Sequence, residues 1–188
     1  MAATARAPPY IGTAHVWEVE SLATTRPEPF VPPADDAEAK AALAITKLGG
    51  KVTRDDKLPG KPVIAVDLSY NKVTDAGLKE LKDLKQLTAL NLGNTQVTDA
   101  GLKELKDLKQ LTYLDLGSTK VTDAGLKELK DLKQLTTLHL AYTQVTDAGL
   151  KELEDVKQLT SLNLIHVKVT DDGMAALRKA LPGCKIGR

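Results

Sequence analysis

The sequence predicts an α/β solenoid: short parallel strands and short helices alternating along stacked, right-handed coils. Three observations predict it. A unit of 24 residues recurs in tandem from Val73 onward, and self-similarity at such a period marks a repeat architecture. Within each unit, LTALNL places Leu90 and Leu92 two residues apart on one face, as a short strand does. In the other half, Leu78, Leu81 and Leu84 recur every third residue, so one face of a helical or 3₁₀-like turn is apolar.

Residues 1–35 hold six of the nine prolines, Pro8, Pro9, Pro27, Pro29, Pro32 and Pro33. Proline removes backbone donors and drives its neighbours to extended forms. With no helical or alternating apolar pattern, this stretch reads as a disordered tail, with Tyr10, Trp17 and Phe30 as its large apolar side chains. Residues 36–62 read as an N-terminal capping helix and a loop. AEAKAALAITKL sets Ala41, Ala42, Ile45 and Leu48 near one face, and Gly49-Gly50 stops it.

The repeats occupy residues 63–168. VTDAGLKELKDLKQLTALNLGNTQ starts at Val73, and near copies start at Val97, Val121 and Val145. PVIAVDLSYNK, from Pro62, is a degenerate earlier strand segment. One unit cannot bury its apolar face alone, so successive units must stack on a shared interior with special ends. Residues 169–188, VTDDGMAALRKALPGCKIGR, form a truncated C-terminal capping repeat. Connections of this length between like strands imply parallel pairing and right-handed coiling. Asp75 is placed to accept from free amides of its own helix's first turn and to complement the helix dipole. Asp75–Lys79 and Lys79–Asp83 are expected as weak surface ion pairs at four-residue spacing.

The run LTALNLGNTQVTDAGLKEL resembles the leucine-rich repeat LxxLxLxxNxLTDxGLxxL, close to the cysteine-containing subclass and to the near-identical tandem repeats of bacterial proteins. The resemblance covers residues 63–186. It implies a horseshoe with strands on the concave face and helices on the convex face. Where that motif carries Asn or Cys, this chain has Asn71, then Thr95, Thr119 and Thr143, then Val167. A threonine hydroxyl is expected to bond turn amides there; Val167 cannot, which puts the geometry of its turn in question.

The copies also differ from one another in an informative way. VTDAGLKELKDLKQLT is identical in three units, and the differences gather around the strand. One column reads Ala65, Ala89, Tyr113, Thr137, Ser161; the next reads Asp67, Asn91, Asp115, His139, Asn163. Further along, a column reads Tyr70, Asn94, Ser118, Tyr142, His166. By strand alternation these flank buried leucines and face outward on the strand side. The copies are thus uniform where they pack and varied where a ligand could touch. The expected partner-binding face is Tyr70, Tyr113, Asp115, His139, Tyr142 and His166, with aromatic rings offering large contact area and a polar tip.

Composition narrows the function further. A net charge of +1, with acids interleaved among the lysines, gives no basic patch for nucleic acid. No apolar run approaches the ~20 residues of a membrane-spanning helix. The N-terminal stretch has no apolar core of signal-peptide length, which leans toward the cytoplasm without deciding the compartment. Cys184 is the single cysteine, which excludes an internal disulfide. Catalytic and metal-binding motifs are missing; His139, His166 and Asp115 alone do not make a constellation. The sequence therefore points to a monomeric, non-catalytic scaffold, without cofactor or metal, that binds a protein partner. The alternatives are a spacer without a discrete ligand and the substrate-receptor part of a ubiquitin-ligase adaptor, against which the lack of an F-box-like helical pattern in residues 1–35 counts.

Overall fold

In the computed structural model the described residues are 36–188, and the proline-rich stretch at residues 1–35 lies outside them. Seven strands form one sheet in chain order: β1 (Lys51–Arg54), β2 (Val63–Asp67), β3 (Ala89–Asn91), β4 (Tyr113–Asp115), β5 (Thr137–His139), β6 (Ser161–Asn163) and β7 (Lys185–Gly187). From β2 onward every pairing is parallel and in register at a step of 24 residues: Leu90 lies beside Leu114, and Leu114 beside Leu138. Each of the strands β2 to β6 is followed by a short crossover on the helical side. α2 (Asp75–Leu78), α3 (Asp99–Leu102) and α4 (Asp123–Leu126) are single turns that tighten into 3₁₀ turns, while α5 spans Asp147–Leu153. The three-residue spacing of Leu78, Leu81 and Leu84 suits this 3₁₀ continuation, in which residues three apart eclipse.

The interior is a leucine column of full depth. Leu68, Leu92, Leu116, Leu140 and Leu164 are each 0% exposed, and three buried apolar residues from each helical turn, leucines but for Val156 and Met174, complete the same core. Threonines reinforce the ladder between coils: the hydroxyls of Thr88, Thr112, Thr136 and Thr160 each donate to the backbone carbonyl 24 residues earlier, at 2.9–3.1 Å.

Both ends differ from the middle. α1 (Asp36–Lys47) lays Ala41 and Ile45 over the first coil. Residues 51–54 are not loop but strand β1, antiparallel to β2, and Leu58–Lys61 turn the chain between them. The β-branched pair Val52-Thr53 favours the extended form, and the exposed first parallel strand supplies the partner. Glu38 of α1 closes this end: its Oε1 accepts from the Val63 amide at 3.0 Å and from Arg54 at 2.9 Å. At the other end α6 (Asp171–Ala180) buries Met174 and Leu177, and β7 pairs with β6. Cys184 sits half-buried just before β7, and burial pushes its thiol up.

The helical side corrects two sequence expectations. Asp75 does not cap its own turn. Its carboxylate reaches into the next coil and takes two bonds from Thr98, at 2.8 Å from the amide and 2.7 Å from the hydroxyl. Asp99, Asp123 and Asp147 grip Thr122, Thr146 and Thr170 in the same way. The bidentate grip offers more than an exposed ion pair does, so Asp75 is drawn away from Lys79. Neither expected pair, Asp75–Lys79 or Lys79–Asp83, is among the ion pairs of the described residues; Lys127–Glu152, at 4.0 Å, runs between coils instead. This grip also explains the recurring glycine. A Cβ on Gly125 would strike Asp99 Oδ1, and one on Gly101 would strike Asp75 Oδ1. Gly77 has no such aspartate before it; there a Cβ would press on Val73 at 3.0 Å and Leu48 at 3.2 Å.

The grip has an acid signature. Hydrogen bonds from the Thr170 hydroxyl and then the Thr170 amide hold the Asp147 carboxyl below the ordinary aspartate range. A group lowered in the folded state adds stability above its unfolded pKa and loses it as pH falls through the folded value. Thr170→Val removes the larger cause and leaves the amide bond. The Asp147 titration then rises part of the way back, as carboxyl NMR shifts against pH would read.

The turn column departs from expectation as well. Thr95, Thr119 and Thr143 are buried, and their hydroxyls donate to carbonyls three residues back, at 2.6–2.7 Å, rather than accepting from amides. The Val167 turn keeps the same path. The residue before it, His166, has φ 56°, and the Val167 amide bonds the Leu164 carbonyl at 3.1 Å. The backbone bond alone suffices to hold it.

Candidate functional site

The open face of the sheet is built from residues either side of the buried strand leucines. Tyr113 lies beside Ala89 and Thr137, and Asp115 beside Asn91 and His139, all in register. On this face the six expected residues fall into three places. Tyr113, Asp115 and His139 come together. The His139 Nδ1 is 3.4 Å from Asp115 Oδ2 and 3.4 Å from the Tyr113 hydroxyl, and the two rings meet edge-on at 5.3 Å. Tyr142 and His166 form a second group, stacked at 4.5 Å and 23°. Tyr70 stands apart, 82% exposed, three coils before Tyr142. Partial burial raises the Tyr113 hydroxyl above the ordinary tyrosine range, and the Asp115 carboxylate, with Asp67 behind it, pushes it further. Tyr113 is therefore a neutral donor at any pH near 7.

The turn column holds the strained part of the face. Tyr70, Asn94, Ser118, Tyr142 and His166 all have φ between 55° and 58°. Left-handed backbone suits Gly and, among the other residues, Asn, Asp and His, and it disfavours tyrosine. Stacking enforces it. The amides of Tyr70, Asn94, Ser118 and Tyr142 each donate to a carbonyl of the following coil, at 2.8–3.0 Å, carrying the ladder past the strand ends.

Sequence reasoning missed one feature between these columns. Asp67, Asn91, Asp115 and Asn163 each accept, through Oδ1, from the amide two residues on, at 2.8–3.0 Å. These are Asx turns, and an Asp or Asn two residues before a tight turn is the signal that reveals them. His139 occupies that column in the remaining coil, where its ring turns to Asp115 and Tyr113. The Ala141 amide is left without an acceptor among the described residues. Ala141 lines a groove of about 260 Å³ that runs from Tyr70 to Tyr142 over Gly93 and Gly117. A second hollow lies over Ala65 and Ala89, between Tyr113 and the Lys51 and Thr53 side of β1. That edge of the face comes from the strand the sequence did not reveal.

Chemically, the His139–Asp115 pair is one imidazole oriented by one carboxylate. Among the described residues no group of three His, Cys, Asp or Glu side chains is placed to hold a metal ion. No described helix is long and apolar enough to cross a membrane.

The leucine-rich-repeat family model matches residues 63–82, 85–106, 109–130 and 133–153. These four coils are leucine-rich repeats. Such repeats typically serve as protein-interaction scaffolds. Among solved structures, a leucine-rich-repeat protein of Leptospira interrogans is 30% identical over 58% of this chain and 27% of its own, with a TM-score of 0.49. An internalin from Listeria monocytogenes is 23% identical over 58% of this chain and 36% of its own, with a TM-score of 0.41. The chain thus spans about a third of the length of these neighbours or less. No curated protein matches it.

Proposed function

We propose that this chain is a non-catalytic scaffold that captures a protein partner on the open face of its sheet, through Tyr70, Tyr113, Asp115, His139, Tyr142 and His166. One observation carries the reading. Bulky side chains occupy turn positions where the backbone, at φ near 57°, favours Asn, the residue present in the same column at Asn94. Holding a tyrosine in left-handed backbone costs about 1 kcal/mol or more. Stability alone does not place it there; a contact made by the side chain offsets it. Tyr113 and Tyr142 supply the large, rigid contact area typical of residues that dominate interfaces.

The test compares wild type with a face-scrambled variant in pull-down from the native host, then measures the recovered partner's affinity. Tyr113→Ala and Tyr142→Ala each weaken binding by roughly 2 kcal/mol while the circular dichroism spectrum is retained. Tyr70→Asn separates the two roles. It relieves the left-handed strain, so stability rises by about 1 kcal/mol in urea denaturation while partner affinity falls. A recovered partner that binds all three variants normally rejects the assignment of the face. Recovery that is the same for the scrambled face favours a spacer.

A further inference from the structure

The groove beside the turn column has a hydrogen-bond pattern of its own, and it is broken in one place. Four coils close their Asx turn with a carboxylate or carboxamide oxygen two residues before the amide. In the coil of His139 the ring Nδ1 lies 3.4 Å from both Asp115 Oδ2 and the Tyr113 hydroxyl, and the amide of half-buried Ala141, a residue lining the groove, has no acceptor among the described residues. The chemistry that fits this amide is written in the neighbouring coils: an sp² oxygen acceptor of carboxylate or carboxamide type.

The surroundings select what carries that carbonyl. Tyr142 and His166 sit on consecutive coils with rings 4.5 Å apart, close to the ~4.8 Å step between paired strands. Their stack therefore runs along the solenoid axis, and the other face of Tyr142 is turned toward Ser118, across the groove. Asp115 Oδ1 accepts from the Gly117 amide and Oδ2 lies 3.4 Å from His139 Nδ1, and this carboxylate in the lining disfavours an anionic ligand. Beyond the Tyr70 and Tyr142 rings, its lining supplies only Gly93, Gly117 and Ala141 as apolar residues, which leaves the tyrosines as its ring-sized platforms. The remaining lining presents hydroxyls and carboxamides, such as Ser118 and Asn163, to both donors and acceptors. At about 260 Å³ the groove is just below the ~300–1,000 Å³ of ordinary small-molecule sites, room for a single ring and its substituents.

The geometry points to a binding site for a 2-acetamido sugar: the acetamido carbonyl accepts from the Ala141 amide, and the pyranose ring lies on the free face of Tyr142. This goes beyond the protein-partner reading and does not depend on it. A free sugar probes the groove with no partner present, so either assignment can fail while the other stands.

The test titrates the full ¹⁵N-labelled chain with three probes. Chitotriose carries the acetamides, cellotriose has the same linkage with hydroxyls in their place, and N-acetyl-asparagine amide offers the same carbonyl on a peptide. With chitotriose the Ala141 amide resonance moves downfield and saturates; cellotriose binds about tenfold more weakly, the factor for one lost hydrogen bond. His139→Asn returns an Asx oxygen to the Ala141 amide from within the chain. It lowers chitotriose affinity by about tenfold or more, with no loss of thermal stability. Tyr142→Ala also weakens the sugar, as the loss of the ring platform requires. The assignment is overturned by a chitotriose titration without a saturating Ala141 shift, by equal response to cellotriose, or by unchanged affinity in His139→Asn. Saturation by the asparagine derivative with chitotriose silent overturns it in favour of a peptide carboxamide.

Discussion

Leu116→Ala destabilises the fold by roughly 2–5 kcal/mol in urea denaturation, the range for deleting a fully buried leucine side chain. Leu116 is 0% exposed and stands in the central coil, between Leu92 and Leu140 of the same column. Its backbone is fixed on both sides of the residue. The amide donates to the His139 carbonyl at 2.9 Å, and the Leu116 carbonyl accepts the Thr119 hydroxyl at 2.6 Å. The coil has little freedom to collapse into the space left by the side chain, which argues for the upper half of the range. Position in the array adds a second effect. Repeat stability is a sum of unit and nearest-neighbour terms, so a weakened central coil loosens two interfaces at once. The slope of the transition also falls if the two halves begin to unfold separately. An unchanged midpoint and slope would mean that the leucine column does not hold the coils together.

The same leucines account for what was legible from residues alone. A period of 24 with apolar residues at fixed offsets determines which positions stack, because packing repeats with the covalent spacing. In-register pairing then makes Asp115 and His139 neighbours, as reading down the column implies. What stayed hidden depends on contacts the local pattern does not encode. β1 is a short run whose partner lies across a turn and runs antiparallel, so Val52-Thr53 looks like loop. The positive φ of Tyr70 and Tyr142 opposes their residue type; Asn94 and His166 in the same column hint at it. The open Ala141 amide follows from a ring orientation at His139, which sequence does not carry. Asp75 misleads because an aspartate opening a helix fits a local cap, whereas its real partner is 23 residues on.

That aspartate and the glycine above it lead to the other large effect. In the central coils Asp99 takes the Thr122 amide at 2.8 Å and the Thr122 hydroxyl at 2.7 Å, and Gly125 leaves the space its carboxylate occupies. Asp99→Ala removes two charge-assisted bonds between coils and costs roughly 1.5–3 kcal/mol. Gly125→Ala relieves a helical glycine, which alone would stabilise by ~0.5–1 kcal/mol. Here the new methyl meets Asp99 Oδ1 and, at 3.0 Å, Leu102 Cδ1, so the sign reverses and the variant is destabilised. The two substitutions are strongly non-additive. With Asp99 already alanine, the Gly125→Ala methyl has lost its chief obstacle, and most of its harm disappears. A double-mutant cycle in urea shows a coupling of about 1 kcal/mol or more, within the range for residues in direct contact. Additive behaviour would mean that the glycine serves its own turn's geometry. Coupling means that it exists for the neighbouring coil's carboxylate, and that the helical side of the solenoid is locked coil to coil by Asp–Thr grips as firmly as the strand side is by its ladder.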